Sequence, residues 1–168
     1  MKILILSDTH RYLDNAAEVI KTFGGIKDVI HLGDVVEDVE NLKKIFPDRK
    51  FYNVAGNNDF SGKVPFEMSV NIGGKKFLLV HGHRQRFNYG VLNLIFLAQE
   101  NGADAALFGH THSPFYDESM GVAVFNPGSI SLPRGTDFPT FGIAEITEGG
   151  RILFETYKFI SKGKSEKI

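Results

Sequence analysis

Five short apolar runs in this chain stop in the same way. Lys2–Ser7 leads into Asp8-Thr9-His10, Asp28–Leu32 into Gly33-Asp34, and Phe51–Ala55 into Gly56-Asn57-Asn58-Asp59. Lys76–Val80 leads into His81-Gly82-His83, and Ala105–Phe108 into Gly109-His110-Thr111-His112. Runs of this length and composition read as buried strands. Each is followed by Asp, Asn or His, and four of the five carry glycine at the junction, which permits a sharp turn and close approach of backbone to a ligand. Strands that share a sheet rim would therefore deliver these polar groups to one small volume.

The intervening segments fix the class of fold. Asn15–Phe23 has amphipathic helical spacing closed by Gly24-Gly25, and Val39, Leu42, Ile45 and Phe46 mark a second helix that Pro47 stops. Tyr89–Glu100 is the longest helical pattern, ended by Asn101-Gly102. Phe66–Ile72 and Lys76–Val80 flank Gly73-Gly74, a two-residue hairpin signal. Val122–Phe125, Phe141–Ile146 and Ile152–Phe159 complete the strands, the last two joined through Glu148-Gly149-Gly150. Alternating strand and helix favours a parallel sheet and the later strand-turn-strand region favours antiparallel pairing, so a mixed α/β sandwich is expected. In its parallel portion, ligands belong beyond the carboxyl ends of the strands. At about 150 residues per domain, 168 residues make one domain. It is placed at residues 1–160, with the lysine-rich 161–168 as a flexible polar tail.

Composition excludes several chemistries. With no cysteine, disulfides, thiolate metal sites and cysteine nucleophiles are all absent, and the six histidines leave only nitrogen and oxygen ligands for a transition metal. Lys+Arg 19 against Asp+Glu 20 gives no overall field to attract nucleic acid or anionic membrane. The first apolar run, Ile3–Leu6, is too short for a secretory or membrane-spanning segment. A cytoplasmic protein is expected, without membrane or nucleic acid polymer as partner.

Taken singly, the strand-end motifs are turn or cap signals. His110-Thr111-His112 says more, because residues two apart on a strand share a face and can present two imidazoles together. In order, Asp8-Thr9-His10, Gly33-Asp34, Gly56-Asn57, His81 and Gly109-His110-Thr111-His112 resemble the calcineurin-like metallophosphoesterase superfamily, in particular its small YfcE-like phosphodiesterases. The resemblance runs from about Lys2 to Phe159, and Asn126-Pro127-Gly128-Ser129 is similar to a late loop of that group. It implies two packed mixed β-sheets flanked by helices, a four-layer α-β-β-α sandwich with a dinuclear metal centre at one rim. One metal would lie among Asp8, His10, Asp34 and His112, and the other among Asp34, Asn57, His81 and His110, with Asp34 bridging. Two divalent ions of Mn, Ni, Fe, Co or Zn suit such donors. A hydroxide bridging the metals, held through Asp34, would attack phosphorus in a phosphodiester of a small soluble substrate.

Two positions depart from the wider superfamily. Asn58 stands where many members carry a histidine, so it can contact phosphate or leaving group by hydrogen bonds but cannot donate a proton near pH 7. This favours diesters or good leaving groups. Glu37 stands where purple acid phosphatases carry an iron-ligating tyrosine. Arg11, His83 and Arg84 are candidate substrate contacts, with Arg86 beside them, and His31 is expected in the core or behind the site. Phe87, Leu92, Leu94, Ile95, Phe96 and Leu97 read as helix and core packing. Phe115-Tyr116 and Phe138 could line a substrate pocket or an oligomer contact. The alternatives are a non-catalytic scaffold like the retromer subunit Vps29, which has the same fold with a degraded metal site, and a nuclease on polymeric substrates. A homo-oligomer stays open.

Overall fold

The computed structural model describes residues 1–60, 62–84, 90–161 and 163–168. Arg86, Phe87 and Tyr89, the first residue of the expected third helix, lie outside the described residues.

One sheet contains β1 (Lys2–Leu6), β2 (Asp28–His31), β3 (Lys50–Asn53), β9 (Thr140–Ile146), β10 (Ile152–Ser161) and β11 (Lys164–Lys167), in the order β11-β10-β9-β1-β2-β3. The other contains β4 (Glu67–Ile72), β5 (Lys75–Val80), β6 (Ala105–Leu107), β7 (Pro114–Asp117) and β8 (Ala123–Pro127), in the order β4-β5-β6-β8-β7. β1 pairs parallel with β2 and β2 with β3, while β9 joins β1 antiparallel. In the second sheet β5, β6 and β8 are parallel, and the outer pairs are antiparallel. Both sheets are therefore mixed, as the strand pattern requires.

The period of two along each strand sorts the core into layers. Ile3 and Ile5 of β1 meet Phe77 and Leu79 of β5 between the sheets, together with Ile30, Leu107 and Phe125. Leu4 and Leu6 face the other way, onto Ala16, Val19 and Ile20 of α1 (Asp14–Thr22) and Leu42 of α2 (Val36–Ile45). Leu78 and Val80 likewise face Leu94, Ile95 and Ala98 of α3 (Leu92–Glu100). Helices, sheet, sheet and helix make four layers. Gly73 and Gly74, at φ 58° and 77°, form the tight β4–β5 turn that the sequence announces.

Two strands escape the sequence reading. β7 begins on Pro114, whose missing N–H is tolerated at a sheet edge. Phe115 and Tyr116 on it pack against Phe108 and Phe154, and Phe138 lies under the Lys158 ammonium. The second strand corrects the expected flexible tail. Residues 164–167 pair antiparallel with β10 as an edge strand. The Lys158–Glu166 and Glu155–Lys167 pairs cross between the strands, so charge and backbone hydrogen bonds replace the apolar alternation that would have marked it. Among the described residues no helix is long and apolar enough to cross a membrane.

Candidate metal centre

Parallel pairing in both sheets brings the carboxyl ends of β1, β2, β3, β5, β6 and β8 to one rim, where backbone hydrogen bonds lace the following loops together. Asp8 N–H donates to Gly33 O at 2.9 Å, and Gly109 N–H to His81 O at 2.9 Å. The hydroxyls of Ser129 and Ser131 both donate to Asp8 O at 2.8 Å. Asn126 Nδ2 donates to Gly109 O at 2.9 Å, so the late Asn126–Ser129 loop braces the motifs on either side.

Asp8, His10 and His112 present donor atoms within 4.8 Å of one another, as do Asp8, Asp34 and His81. Asp8 Oδ1 lies 3.4 Å from His112 Nε2 and 3.9 Å from both His10 Nε2 and His81 Nε2, while His10 Nε2 is 3.7 Å from Asp34 Oδ2. Asn57 Oδ1 stands 3.1 Å from His81 Nε2, and the His110 ring is 5.1 Å from that of His81. All seven sequence-derived ligand candidates thus converge. Asp8 touches members of both expected ligand sets, in addition to the bridging position foreseen for Asp34.

Tautomers follow from the backbone. His81 Nδ1 meets Leu32 O at 2.7 Å and His112 Nδ1 meets Leu132 O at 2.6 Å. A carbonyl can only accept, so each Nδ1 carries the hydrogen and each Nε2 turns a lone pair inward. The Nε2 atoms of His10 and His112 lie 3.1 Å apart. Asp8 Oδ1 is buried among them with no hydrogen-bond partner. A cluster of acceptors around an orphaned carboxylate oxygen is what divalent cations fit. Burial pushes the Asp8 carboxyl up to about 7, against the Ser7 hydroxyl and His110 N–H that hold it down. Burial also pulls His81 down to about 4 and lowers His110 and His112, so these imidazoles are neutral at pH 7, the form a metal requires.

The glycines serve two ends. Gly33 has φ 85°, a left-handed turn. Gly56 and Gly109 have ordinary φ and are needed for proximity: a Cβ on Gly56 would fall on Asp34, and one on Gly109 on Ser7 Oγ and Asp8 Oδ2. The strain sits on the donors themselves, with φ 54° at Asp8, 46° at His10, 67° at His110 and 61° at His112.

The remaining candidates spread out. Asn58 donates its N–H to Asp34 Oδ1 at 2.8 Å and its side-chain amide to Asp34 Oδ2, clamping the carboxylate. His83 is half-buried beside the centre, its ring 6.2 Å from that of His110. Arg84 stacks its guanidinium 3.6 Å over Phe66. Arg11 is exposed at φ 69°, and its N–H donates to Asp38 Oδ2 at 2.7 Å. His31 is buried behind the site, 3.2 Å from Thr9 Oγ1, which itself donates to Asp38 Oδ2 at 2.6 Å. Glu37 lies in the first turn of α2.

Asp38 and Arg134 had no signal of this kind in the sequence, and Asp59 stood in the Gly56–Asp59 strand end with no role assigned to it. Asp38 anchors the Thr9–Arg11 loop. Asp59 accepts the N–H groups of Val35, Val36 and Gly56 at 3.1, 2.6 and 2.8 Å, joining the Asp34 and Asn57 loops. Arg134 donates its N–H to His112 O at 2.9 Å, and its positive charge lowers the pKa of Asp8, His110 and His112.

Comparison with known proteins agrees with this geometry. Residues 1–149 match the calcineurin-like phosphoesterase superfamily domain. The chain is 35% identical to the probable metallophosphoesterase YsnB of Bacillus subtilis, over 80% of this chain and 78% of that protein. It is 31% identical to phosphodiesterase MJ0936 of Methanocaldococcus jannaschii, over 86% and 93%. A predicted phosphoesterase of Streptococcus pneumoniae TIGR4 superposes with a TM-score of 0.77 at 28% identity, covering 99% of this chain and 96% of that one. Vps29 of Cryptosporidium parvum superposes with a TM-score of 0.80 at 24% identity, over 99% and 95%, a likeness of fold alone. On the domain match, the motif order and the rim geometry together, the chain belongs to the calcineurin-like phosphoesterase superfamily.

Proposed function

We propose that this protein is a dinuclear metal-dependent phosphodiesterase of small soluble substrates. The observation that carries the reading is Asp8 Oδ1, buried without a hydrogen-bond partner and faced by the Nε2 atoms of His10, His81 and His112. In this reading Asp8, His10, Asp34 and His112 hold one ion, and Asp34, Asn57, His81 and His110 the other. Two divalent ions, drawn from Mn, Ni, Fe, Co or Zn, supply an acidified water and charge neutralisation for phosphoryl oxygens. Asp34 carries the bridging role with its orientation fixed by Asn58. Each Asp34 oxygen accepts one hydrogen bond in that clamp and keeps a second lone pair with which it could hold a metal. The leaving alkoxide finds no titratable donor at Asn58, which suits diesters and good leaving groups over unactivated monoesters. Arg11, His83 and Arg84 are the side chains assigned to substrate, and the cytoplasm is the assigned compartment.

The Vps29-like scaffold is the competing reading, because the fold likeness is close. One solved Vps29, from Entamoeba histolytica, is itself described as a zinc complex, so turnover and not metal occupancy separates the two. The test is metal analysis, followed by assay of manganese-loaded protein on diester, monoester and cyclic nucleotide substrates. Diester hydrolysis is expected, abolished by chelation and reduced by about a hundredfold or more in Asp34→Asn. Bound metal with no turnover on any substrate would establish the scaffold instead.

A further inference from the structure

A groove of about 280 Å³ is lined by Tyr12, Asp14, Asn15, Ser131 and Leu132. Its walls are the loops that carry the metal-centre donors. Tyr12 follows His10 by two residues, and its N–H donates to Thr9 O at 2.8 Å. Leu132 O receives the Nδ1–H of His112, and Ser131 Oγ donates to Asp8 O. Asn15 Nδ2 donates to Ile130 O at 3.0 Å, tying α1 to the opposite wall. The groove is thus built on the loops that carry His10 and brace Asp8 and His112.

Its chemistry differs from that of the centre. Tyr12 is 64% exposed and Leu132 44%, two large apolar surfaces open to solvent on either wall. Asp14 is the only charged residue of the five, so among the described lining residues none brings a cation for a phosphate. An ester whose phosphate sits at the metals would extend a neutral group here, and the Asp14 carboxylate would repel a second phosphate while accepting from an N–H or O–H. The volume is just below the roughly 300–1,000 Å³ of sites for drug-sized ligands, and so suits one ring system plus a small linker.

Resting on the phosphodiesterase reading, we infer that this groove is the subsite for the ester's organic group and selects an uncharged planar aromatic ring such as a nucleobase, stacked on Tyr12. Leu132 covers the opposite wall, and Asp14 accepts a hydrogen bond from the group's polar edge.

The probes are adenosine 5′-monophosphate, methyl phosphate and adenosine 3′,5′-bisphosphate, titrated calorimetrically into manganese-loaded protein. The adenosine monophosphate is expected to bind about tenfold or more tightly than methyl phosphate, the scale of one base–aromatic stack. Tyr12→Ala should remove most of that advantage and Tyr12→Phe should keep it, since stacking needs the ring and not the hydroxyl. Asp14→Asn should narrow the preference for the monophosphate over the bisphosphate. Equal binding of adenosine monophosphate and methyl phosphate, or an advantage that survives Tyr12→Ala, overturns the inference. If no phosphate binds the metal-loaded protein, the diester assay decides the phosphodiesterase reading separately, and absent turnover overturns that reading. Adenosine alone, followed by saturation-transfer NMR, then reads the groove: Tyr12-dependent binding upholds the subsite, and no binding overturns it.

Discussion

Gly56→Ala tests the close approach that holds the candidate bridging carboxylate in place. Gly56 has an ordinary backbone angle, so alanine brings no left-handed strain and the effect isolates contact. Its Cβ would lie 2.8 Å from Asp34 Cα and closer still to Asp34 Oδ1, where ordinary contact begins near 3.4 Å. The Asp34 backbone must therefore retreat by about 0.6 Å. It cannot do so freely: Asn58 clamps the Asp34 carboxylate, and Asp59 ties Gly56 N–H to the amides of Val35 and Val36 just after Asp34. Overpacking of this kind costs about 1–3 kcal/mol. In a chain this long, that lowers the melting temperature by roughly 2–12 °C. A displaced ligand should also cost manganese affinity, and turnover by about a hundredfold, the scale of a 1 Å misplacement. Differential scanning calorimetry of the chelated protein reads the first effect, and metal titration with diester assay the second. Gly25→Ala is the control, since Gly25 has open space and no positive φ, and it should change stability by less than about 1 kcal/mol. Wild-type melting and metal affinity in Gly56→Ala would refute the idea that this contact sets Asp34.

Asp59→Ala removes the acceptor for three backbone N–H groups and should cost about 1–3 kcal/mol by denaturant unfolding, with weakened metal binding; a loss below about 0.5 kcal/mol would show those amides finding water instead. Asn58→His installs a titratable donor at the candidate leaving-group position, and should raise turnover of poor relative to activated leaving groups by about tenfold, a fraction of full general-acid catalysis. An unchanged ratio with metals bound would contradict that role. His31 is pulled from 6.5 down to about 3 by burial, with the His81 charge adding to it. Its contribution to stability is therefore full above pH 6.5 and is lost as pH falls towards 3, with a slope of up to about 1.4 kcal/mol per pH unit. His31→Gln should flatten the pH dependence of urea unfolding between pH 6.5 and 4, and an unaltered slope would assign the acid sensitivity elsewhere.

The convergence of seven candidate ligands was legible because strand order in a parallel sheet leaves the following loops nowhere else to go. Asp8, Asp34 and Asn57 follow neighbouring strands β1, β2 and β3, and His81 and His110 follow neighbouring strands β5 and β6. The supports were not legible, because each acts across the chain. Asp38 holds Arg11 N–H from 27 residues away, and Leu132 fixes the tautomer of His112 from 20. No local spacing encodes a carbonyl that chooses which imidazole nitrogen faces inward. Gly56 and Gly109 read in the sequence as sites of a sharp turn or of close approach to a ligand, yet what lies against them is the side chains of other strand ends. β11 was hidden for a related reason, its pairing resting on cross-strand charges.

The left-handed residues explain why the supports are so numerous. Asp8, His10, Arg11, His110 and His112 each hold a backbone angle that costs an ordinary side chain about 1 kcal/mol or more. Relaxing any of them would swing a donor away from the centre. Bonds from other loops oppose that relaxation: Ser129 and Ser131 on Asp8 O, Asp38 on Arg11 N–H, Asp8 Oδ2 on His110 N–H, and Arg134 N–H on His112 O. Three of these four arrangements involve Asp8 or the segment just after it, so the first strand end is the hinge on which the others are set. Donors held this way are ordered before any cation arrives, and the free energy of binding is not consumed in ordering them. The same arrangement leaves Asp8 Oδ1 without a hydrogen bond, a buried penalty that one divalent ion would relieve.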